Sequence, residues 1–169
     1  MAETAEQYIA RMLGNVGERD AQAVLASTPA TLRRLVAGKP KSKLTWTSRP
    51  GQWSVVQILA HLADAEIVSS WRLRSILAVD NVPLQAFDQD LWSSAFNYAD
   101  ADPDESLDTF DINRRATLSL LKRVDPARLE HAGQHQERGR EPIAHLVRLY
   151  AGHDLNHLKQ IQALLAEAD

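Results

Sequence analysis

Residues 53–66 read WSVVQILAHLADAE, and this stretch contains the clearest helix start in the chain. Ser54 and Gln57 are spaced as a capping box, in which each side chain accepts a hydrogen bond from the backbone N–H of the other residue. Apolar and small residues then recur with the period of a helix, which predicts a helix over about residues 55–79. Its inward stripe consists of Ile58, Leu62, Ala65, Ser69, Leu73 and Ile76.

Similar patterns predict helices on both sides of this one. They cover approximately residues 4–13, 20–26, 28–38, 88–96, 102–123 and 142–167. No window shows convincing alternation with a period of two, so no strand is predicted. Four main helices joined by long connections predict an all-α four-helix bundle with short extra N-terminal helices. The chain length predicts a single domain over residues 1–169.

The composition excludes several classes of function. A net charge of −3 gives no basic surface for nucleic acid. The sequence contains no cysteine, so a metal would have to be held by His, Asp, Glu or water. No apolar run approaches the roughly 20 residues of a membrane span. The N-terminus is acidic and lacks the features of a signal peptide, so we expect a cytoplasmic protein without membrane or nucleic-acid partners.

Two histidines lie four residues apart on the inward face of the last predicted helix, where they could bind one metal ion. These are His153 and His157, and a pair of histidines satisfied by core neighbours is the alternative. His61 lies at the edge of the inward stripe of the helix that begins after Ser54. Facing helices often build metal sites in bundles. Three histidine ligands with an open position are typical of a catalytic zinc-type site.

The remaining histidines fit such a site poorly. His131 and His135 flank Gly133 in a predicted loop, which favours surface positions. His145 lies about 12 Å from His153 along a helix axis, too far for both to bind one ion.

Acidic and aromatic side chains are further candidates for roles near the site. An acid near the site could accept a hydrogen bond from the outer N–H of a metal-bound imidazole. The candidates are Asp64, Glu66, Asp88 and Asp154, although acids at such positions are more often solvated charges or helix caps. The aromatic residues Trp71, Trp92 and Phe96 could line a substrate pocket, although core packing is the more common use.

Four stretches of the chain, taken in order, resemble the DinB/YfiT-like metal-binding four-helix-bundle superfamily. They are residues 50–66, 72–74, 87–90 and 152–161, and the similarity covers about residues 25–167. The resemblance implies an up-down-down-up bundle that binds a divalent ion, often nickel or zinc, through His61, His153 and His157. It also implies a homodimer.

The resemblance leaves several functions open. One is a metal-dependent transferase for a small-molecule substrate that uses a low-molecular-weight thiol such as bacillithiol, mycothiol or glutathione. The thiol would have to come from outside, because the chain has no cysteine. Alternatives are a metal-dependent hydrolase and a non-catalytic metal-binding stress-response protein. A structural bundle with packed histidines is the remaining hypothesis. No side chain is assigned as catalytic, since a metal-bound water or thiol would be the reacting group.

Overall fold

The computed structural model describes residues 3–168 of the chain. Its helices are α1 (Ala5–Val16), α2 (Ala21–Val36), α3 (Lys41–Leu44), α4 (Val55–Ala78), α5 (Gln89–Ala95), α6 (Pro103–Arg123) and α7 (Ile143–Glu167). Its strands are β1 (Val82–Leu84), β2 (Ala132–His135) and β3 (Gly139–Pro142), and 3₁₀ turns cover Tyr98–Asp100 and Pro126–Glu130. Within residues 3–168, no helix is long and apolar enough to cross a membrane.

Helices α2, α4, α6 and α7 form a four-helix bundle, as predicted, with one apolar cluster towards each end. The first cluster includes Leu25, Leu73, Leu121 and Leu146. The second includes Leu32, Leu59, Phe110 and Leu165. The starts of α2 and α7 meet in the first cluster and their ends meet in the second, so these two helices run parallel. Helices α4 and α6 run parallel to each other in the opposite direction, which gives the up-down-down-up order.

A layer of buried polar side chains lies between the two apolar clusters. Every bundle helix contributes to it between its residues of the first cluster and those of the second. The contributors are Thr28 in α2, Glu66, Ser69, Ser70 and Arg72 in α4, Arg114 and Thr117 in α6, and His153, Asp154 and His157 in α7. The capping box of Ser54 and Gln57 is present at the start of α4. The buried polar chemistry of the protein is therefore concentrated in the middle of the bundle.

Helix α2 corrects the prediction of two separate helices before residue 38. It is continuous from its N-cap Asp20, and Pro29 lies inside it. Proline has no N–H, so the carbonyl of Leu25, four residues earlier, loses its usual helical partner. Arg114 Nη1 donates to that carbonyl oxygen at 2.9 Å. A side chain from α6 thus replaces the missing hydrogen bond, which explains why the helix continues past the proline.

A small sheet corrects the prediction that the chain has no strands. Strand β2 pairs in parallel with β1 and antiparallel with β3. Strands of three or four residues are too short to show alternation in the sequence. A Cβ on Gly133 in β2 would lie 2.5 Å from Leu84 Cδ1 and 3.1 Å from Ile76 Cγ1. The sheet therefore packs tightly on the end of α4, with no space for a larger residue.

Helix α1 packs outside the bundle, directly on α7. A Cβ on Gly152 would lie 2.0 Å from the carbonyl oxygen of Met12, so only glycine allows the two backbones to approach this closely. The first helix was predicted to end at Leu13. It continues through Gly14 to Val16 and is followed by the C-cap Gly17, which has a φ of 57°. The longer helix covers one side of α7 beside the buried histidines.

Candidate metal centre

Three histidines from two bundle helices meet in the protein interior. His61 of α4 faces His153 and His157, which lie one turn apart on α7, and all three side chains are buried. His61 Nε2 lies 3.0 Å from His153 Nε2, and His157 Nε2 lies 3.1 Å from the same atom. We call these three residues the histidine cluster. The structure brings together the three residues that were predicted as metal ligands.

Hydrogen bonds among the rings do not satisfy the histidine cluster. A neutral imidazole has one donor and one acceptor nitrogen, so His153 Nε2 has either a hydrogen or a lone pair, but not both. It nevertheless lies within hydrogen-bond distance of two other Nε2 atoms. Two nitrogens at about 2.0–2.1 Å from a shared ion would lie about 3 Å apart. The three converging nitrogens therefore fit a divalent metal ion, which would satisfy them together.

Burial keeps the cluster in the neutral form that binds metals. Burial, together with the neighbouring His157, lowers the pKa of His61 to about 3. Burial also lowers the pKa of His157 to about 4. The pKa of His153 is well below its ordinary value because of burial and the two neighbouring imidazoles. At neutral pH, none of the three rings has to lose a proton before it can bind a cation.

The predicted acidic partners of these histidines have other contacts. Asp64 accepts a hydrogen bond from the hydroxyl of Tyr98 at 2.5 Å. Asp88 caps α5, where its carboxylate accepts from the backbone N–H groups of residues 90 and 91. The buried Nδ1 atoms of His61 and His157 have no hydrogen-bond partner among the residues described. None of the four candidate acids therefore serves these outer nitrogens.

The other two acids, Glu66 and Asp154, pair with a buried arginine. Arg114 Nη1 lies 2.6 Å from Asp154 Oδ2, and its Nη2 lies 2.8 Å from Glu66 Oε2. We call these three residues the arginine cluster. Arg114 was not predicted as a functional residue, although it lies on the apolar stripe of α6 between Phe110 and Leu121. Glu66 and Asp154 lie on the inward faces of α4 and α7, and two such buried acids would have indicated that a cation lies between them.

Two cavities reach the histidine cluster. One, of about 420 Å³, is lined by His157, Trp53 and Gln160 among others. The other, of about 310 Å³, is lined by His61, His153 and residues of α1, α4, α7 and the β2–β3 hairpin. We call them the first and the second cavity. Gln89 contributes to both walls. The histidine cluster is therefore accessible to small molecules rather than sealed in the core.

The aromatic residues at the site are not those considered in the sequence analysis. The rings of Trp53 and Phe87 lie 5.0 and 6.4 Å from that of His61. Trp71 is 71% exposed and Phe96 is 59% exposed, so the expectation of core packing is wrong for both. Trp92 packs against Phe87 and Phe96 outside the core. Phe87, Trp92 and Phe96 all lie in the same long connection, and the sequence gives no signal for which of them packs beside His61.

The histidines outside the cluster are only partly as predicted. His131 is half-buried, and its Nδ1 lies 3.0 Å from the carbonyl oxygen of Ile76. His135 is 4% exposed, so its predicted surface position is wrong. The β2–β3 hairpin buries it against Arg72. Neither residue joins the histidine cluster, nor does His145.

The family of the chain follows from comparison with known proteins. The sequence profile of the DinB superfamily matches residues 25–161, which is most of the chain. The chain belongs to the DinB superfamily. The three histidines that form the cluster all lie within the matched residues.

Relatives within the DinB superfamily share about a quarter of their residues with this chain. A protein of Oceanobacillus iheyensis is 27% identical over 141 residues, which cover 83% of this chain and 81% of the relative. A protein of Halalkalibacterium halodurans is 26% identical over 141 residues, with coverage of 83% and 82%. Both are named as candidate metal-dependent hydrolases.

A solved structure shows the same fold. YfiT from Bacillus subtilis matches with a TM-score of 0.81 and 23% identity over 98% of this chain and 90% of YfiT. Its structure is described as a four-helix bundle of unusual topology. The four-helix bundle of this chain therefore agrees with the fold of a solved structure.

Proposed function

We propose that this DinB-superfamily protein is a metal-dependent enzyme that binds one divalent ion through Nε2 of His61, His153 and His157. The observation that carries the proposal is the convergence of three buried, neutral imidazoles beside two cavities. Imidazole ligands suit both zinc and nickel, which are the two metals we propose. The names of the relatives support metal dependence.

A divalent ion at three histidines would supply a Lewis acid that lowers the pKa of a bound water or thiol. The residues of this chain have the remaining tasks. The histidines hold the ion, and Trp53 and Phe87 form apolar walls that limit access of water near His61. Among residues 3–168, no carboxylate or cysteine joins the three histidines, so we assign the role of nucleophile to a bound water or thiol.

Two reactions are candidates, and a different observation favours each. Transfer of a low-molecular-weight thiol to an electrophile requires space for two molecules, and two cavities reach the cluster. Hydrolysis requires space for one organic substrate and agrees with the names of the relatives. We place the thiol transferase first because the two cavities are a property of this chain.

An activity assay with matched variants tests the proposal. Untagged protein loaded with Zn²⁺ or Ni²⁺ is incubated with glutathione, bacillithiol or mycothiol and chlorodinitrobenzene, and in parallel with a panel of esters and amides. His61→Ala should abolish turnover, whereas His145→Ala, a histidine outside the cluster, should retain it. Thiol-dependent turnover supports the transferase, and thiol-independent cleavage supports the hydrolase.

Two outcomes of the assay would contradict the proposed enzyme. One is equal rates for the His61→Ala variant and the wild type. The other is no turnover by protein that holds a full equivalent of metal, which would favour a metal-binding stress-response protein without catalysis.

A further inference from the structure

The second cavity contains a buried arginine whose charge is not paired by any carboxylate of the described residues. Arg72 on α4 is 4% exposed and lines this cavity together with His61 and His153. Its Nη1 donates to the hydroxyl of Tyr150 at 3.1 Å, and its Nη2 donates to the carbonyl of Gln85 at 2.5 Å. Among the residues that the structure describes, its Nε has no hydrogen-bond partner. Within residues 3–168, no carboxylate forms an ion pair with it, which is unusual because buried charges are normally paired.

His135 adds a second donor at the same place. The backbone N–H of Glu137 donates to His135 Nδ1 at 3.2 Å, and Arg72 Nη2 lies 3.3 Å from His135 Nε2. A neutral imidazole has only one acceptor nitrogen, and here Nδ1 takes that role, which leaves the hydrogen on Nε2. Two donors, from Arg72 and His135, therefore face each other. Such an arrangement is stable when both donate to an acceptor placed beside them.

The other charges on the wall of this cavity are already compensated or exposed. Glu3 pairs with Arg11 at 2.7 Å, and Arg138 pairs with Glu141 at 2.5 Å. Glu137 is exposed to solvent. Among the cavity-lining residues that the structure describes, Arg72 thus carries the buried positive charge that lacks an opposing one.

We propose that Arg72 binds the carboxylate of a small organic acid in the second cavity and directs the remainder of that molecule towards His61 and His153. A planar guanidinium matches a carboxylate in charge and geometry. A phosphate dianion would require a second free cation, and Arg138 is already occupied by Glu141. The volume of about 310 Å³ suits a small ligand. The link to chemistry rests on the proposed function, but the binding of the carboxylate does not.

Ligand binding to metal-loaded protein tests the inference. The probes are acetate, butyrate, benzoate and 4-phenylbutyrate, each compared with its neutral amide, and inorganic phosphate. Dissociation constants are measured by saturation-transfer NMR. At least one carboxylate should bind the wild type ten or more times more tightly than its amide. Arg72→Met should reduce that preference to less than threefold.

Two further variants make the test specific for Arg72. Arg74 lies on the same helix and bonds to the carbonyl of Ser70. It is not among the cavity-lining residues, so Arg74→Met should retain the preference. Arg72→Lys keeps the charge and loses the fork of donors, so we expect an intermediate preference. If Arg72→Met does not fold, as judged by circular dichroism, the test uses Arg72→Lys instead. We expect the carboxylate preference of that variant to be at least threefold lower than that of the wild type.

Three results would overturn the inference. They are no carboxylate preference in the wild type for any probe, an unchanged preference in the decisive Arg72 variant, and tighter binding of phosphate than of every carboxylate. Metal content is measured in every sample. A wild type that takes up no metal would refute the proposed function, whereas the effect of Arg72 on carboxylate binding would still be scored by itself.

Discussion

The middle of the bundle contains two buried polar clusters that differ in how their groups are satisfied. In the arginine cluster, Arg114 is 2% exposed, forms ion pairs with two carboxylates and donates to a backbone carbonyl. In the histidine cluster, three neutral nitrogens converge, and two outer nitrogens have no hydrogen-bond partner in the described part of the chain. Asp154 and His153 are adjacent in sequence, yet they belong to different clusters. The charges of the arginine cluster are paired, although Glu66 Oε1 accepts no hydrogen bond among the described residues, and breaking these ion pairs would destabilise the bundle. The nitrogens of the histidine cluster do not satisfy one another and lie beside cavities, so this cluster is suited to bind a ligand.

The largest loss of stability should come from removing Arg114, the cation of the arginine cluster. Arg114→Met leaves Glu66 and Asp154 buried without a counter-ion and also removes the donor to the carbonyl of Leu25. Breaking a buried ion pair in this way costs about 3–5 kcal/mol. We expect a loss of that size in the free energy of unfolding, measured by urea denaturation with circular dichroism.

The neighbouring arginine provides the control for this prediction. The side chain of Arg115 is 70% exposed, and Arg115→Met should change the free energy of unfolding by at most about 0.5 kcal/mol. A loss below about 1 kcal/mol in Arg114→Met would mean that the arginine cluster does not stabilise the bundle.

The histidine cluster should stabilise the fold only when metal is present. At a free metal concentration of 100 times the dissociation constant, binding adds about 2.7 kcal/mol to the stability of the wild type. His61→Ala, His153→Ala and His157→Ala should lose this gain, which is measured as a shift in melting temperature on addition of Zn²⁺ or Ni²⁺. His145→Ala should retain it. An equal shift in the His61→Ala protein would assign the metal to another site.

A smaller effect on the free energy of unfolding is expected when the pH changes, through Glu66 of the arginine cluster. Burial raises the pKa of Glu66, while Arg114 and Arg74 oppose the shift and Asp154 adds to it. The folded protein therefore holds this proton more tightly than the unfolded chain does. Stability should fall as pH rises from the ordinary glutamate pKa of about 4.5 through the raised value. Glu66→Gln should remove that part of the slope, measured by urea denaturation from pH 4.5 upward. An identical slope in both proteins would contradict the raised pKa.

The smallest effect is the change in metal affinity that we expect from Asp64→Asn. Loss of a carboxylate that orients a metal-bound histidine typically reduces metal affinity 10–100-fold. Asp64 instead accepts from Tyr98, so we expect metal affinity to stay within about threefold of the wild type. Competition with a chromophoric chelator measures this affinity. A tenfold loss would show that Asp64 supports the histidine cluster after all.

The sequence predicted the features that depend on local patterns. The helix after Ser54 begins with a local capping signal, and its stripe of inward residues is buried as expected. His153 and His157 required only the helical period to be placed on one face. His61 could be added because its own helix was assigned with a clear phase.

The features that were missed depend on contacts between distant residues. Thr28 and Pro29 favoured the start of a new helix at this point, whereas the hydrogen bond that lets α2 continue comes from Arg114 on α6. Strands β1 and β2 pair residues about 50 positions apart, such as Val82 with Gly133. The β2–β3 hairpin is local, but its strands of four residues are too short to show alternation. The role of Arg72 depends on the hairpin that places His135 beside it. No local pattern reports such pairings.

The central claim is that the histidine cluster holds a divalent metal, and metal analysis tests it most directly. Untagged wild-type protein is saturated with Zn²⁺ or Ni²⁺, desalted and examined by inductively coupled plasma mass spectrometry together with the His61→Ala, His153→Ala and His157→Ala variants. We predict about one equivalent in the wild type and less than about a tenth in each variant, as the loss of one of three ligands implies. Less than a tenth of an equivalent in the folded wild type, or equal content in the variants, would contradict the claim.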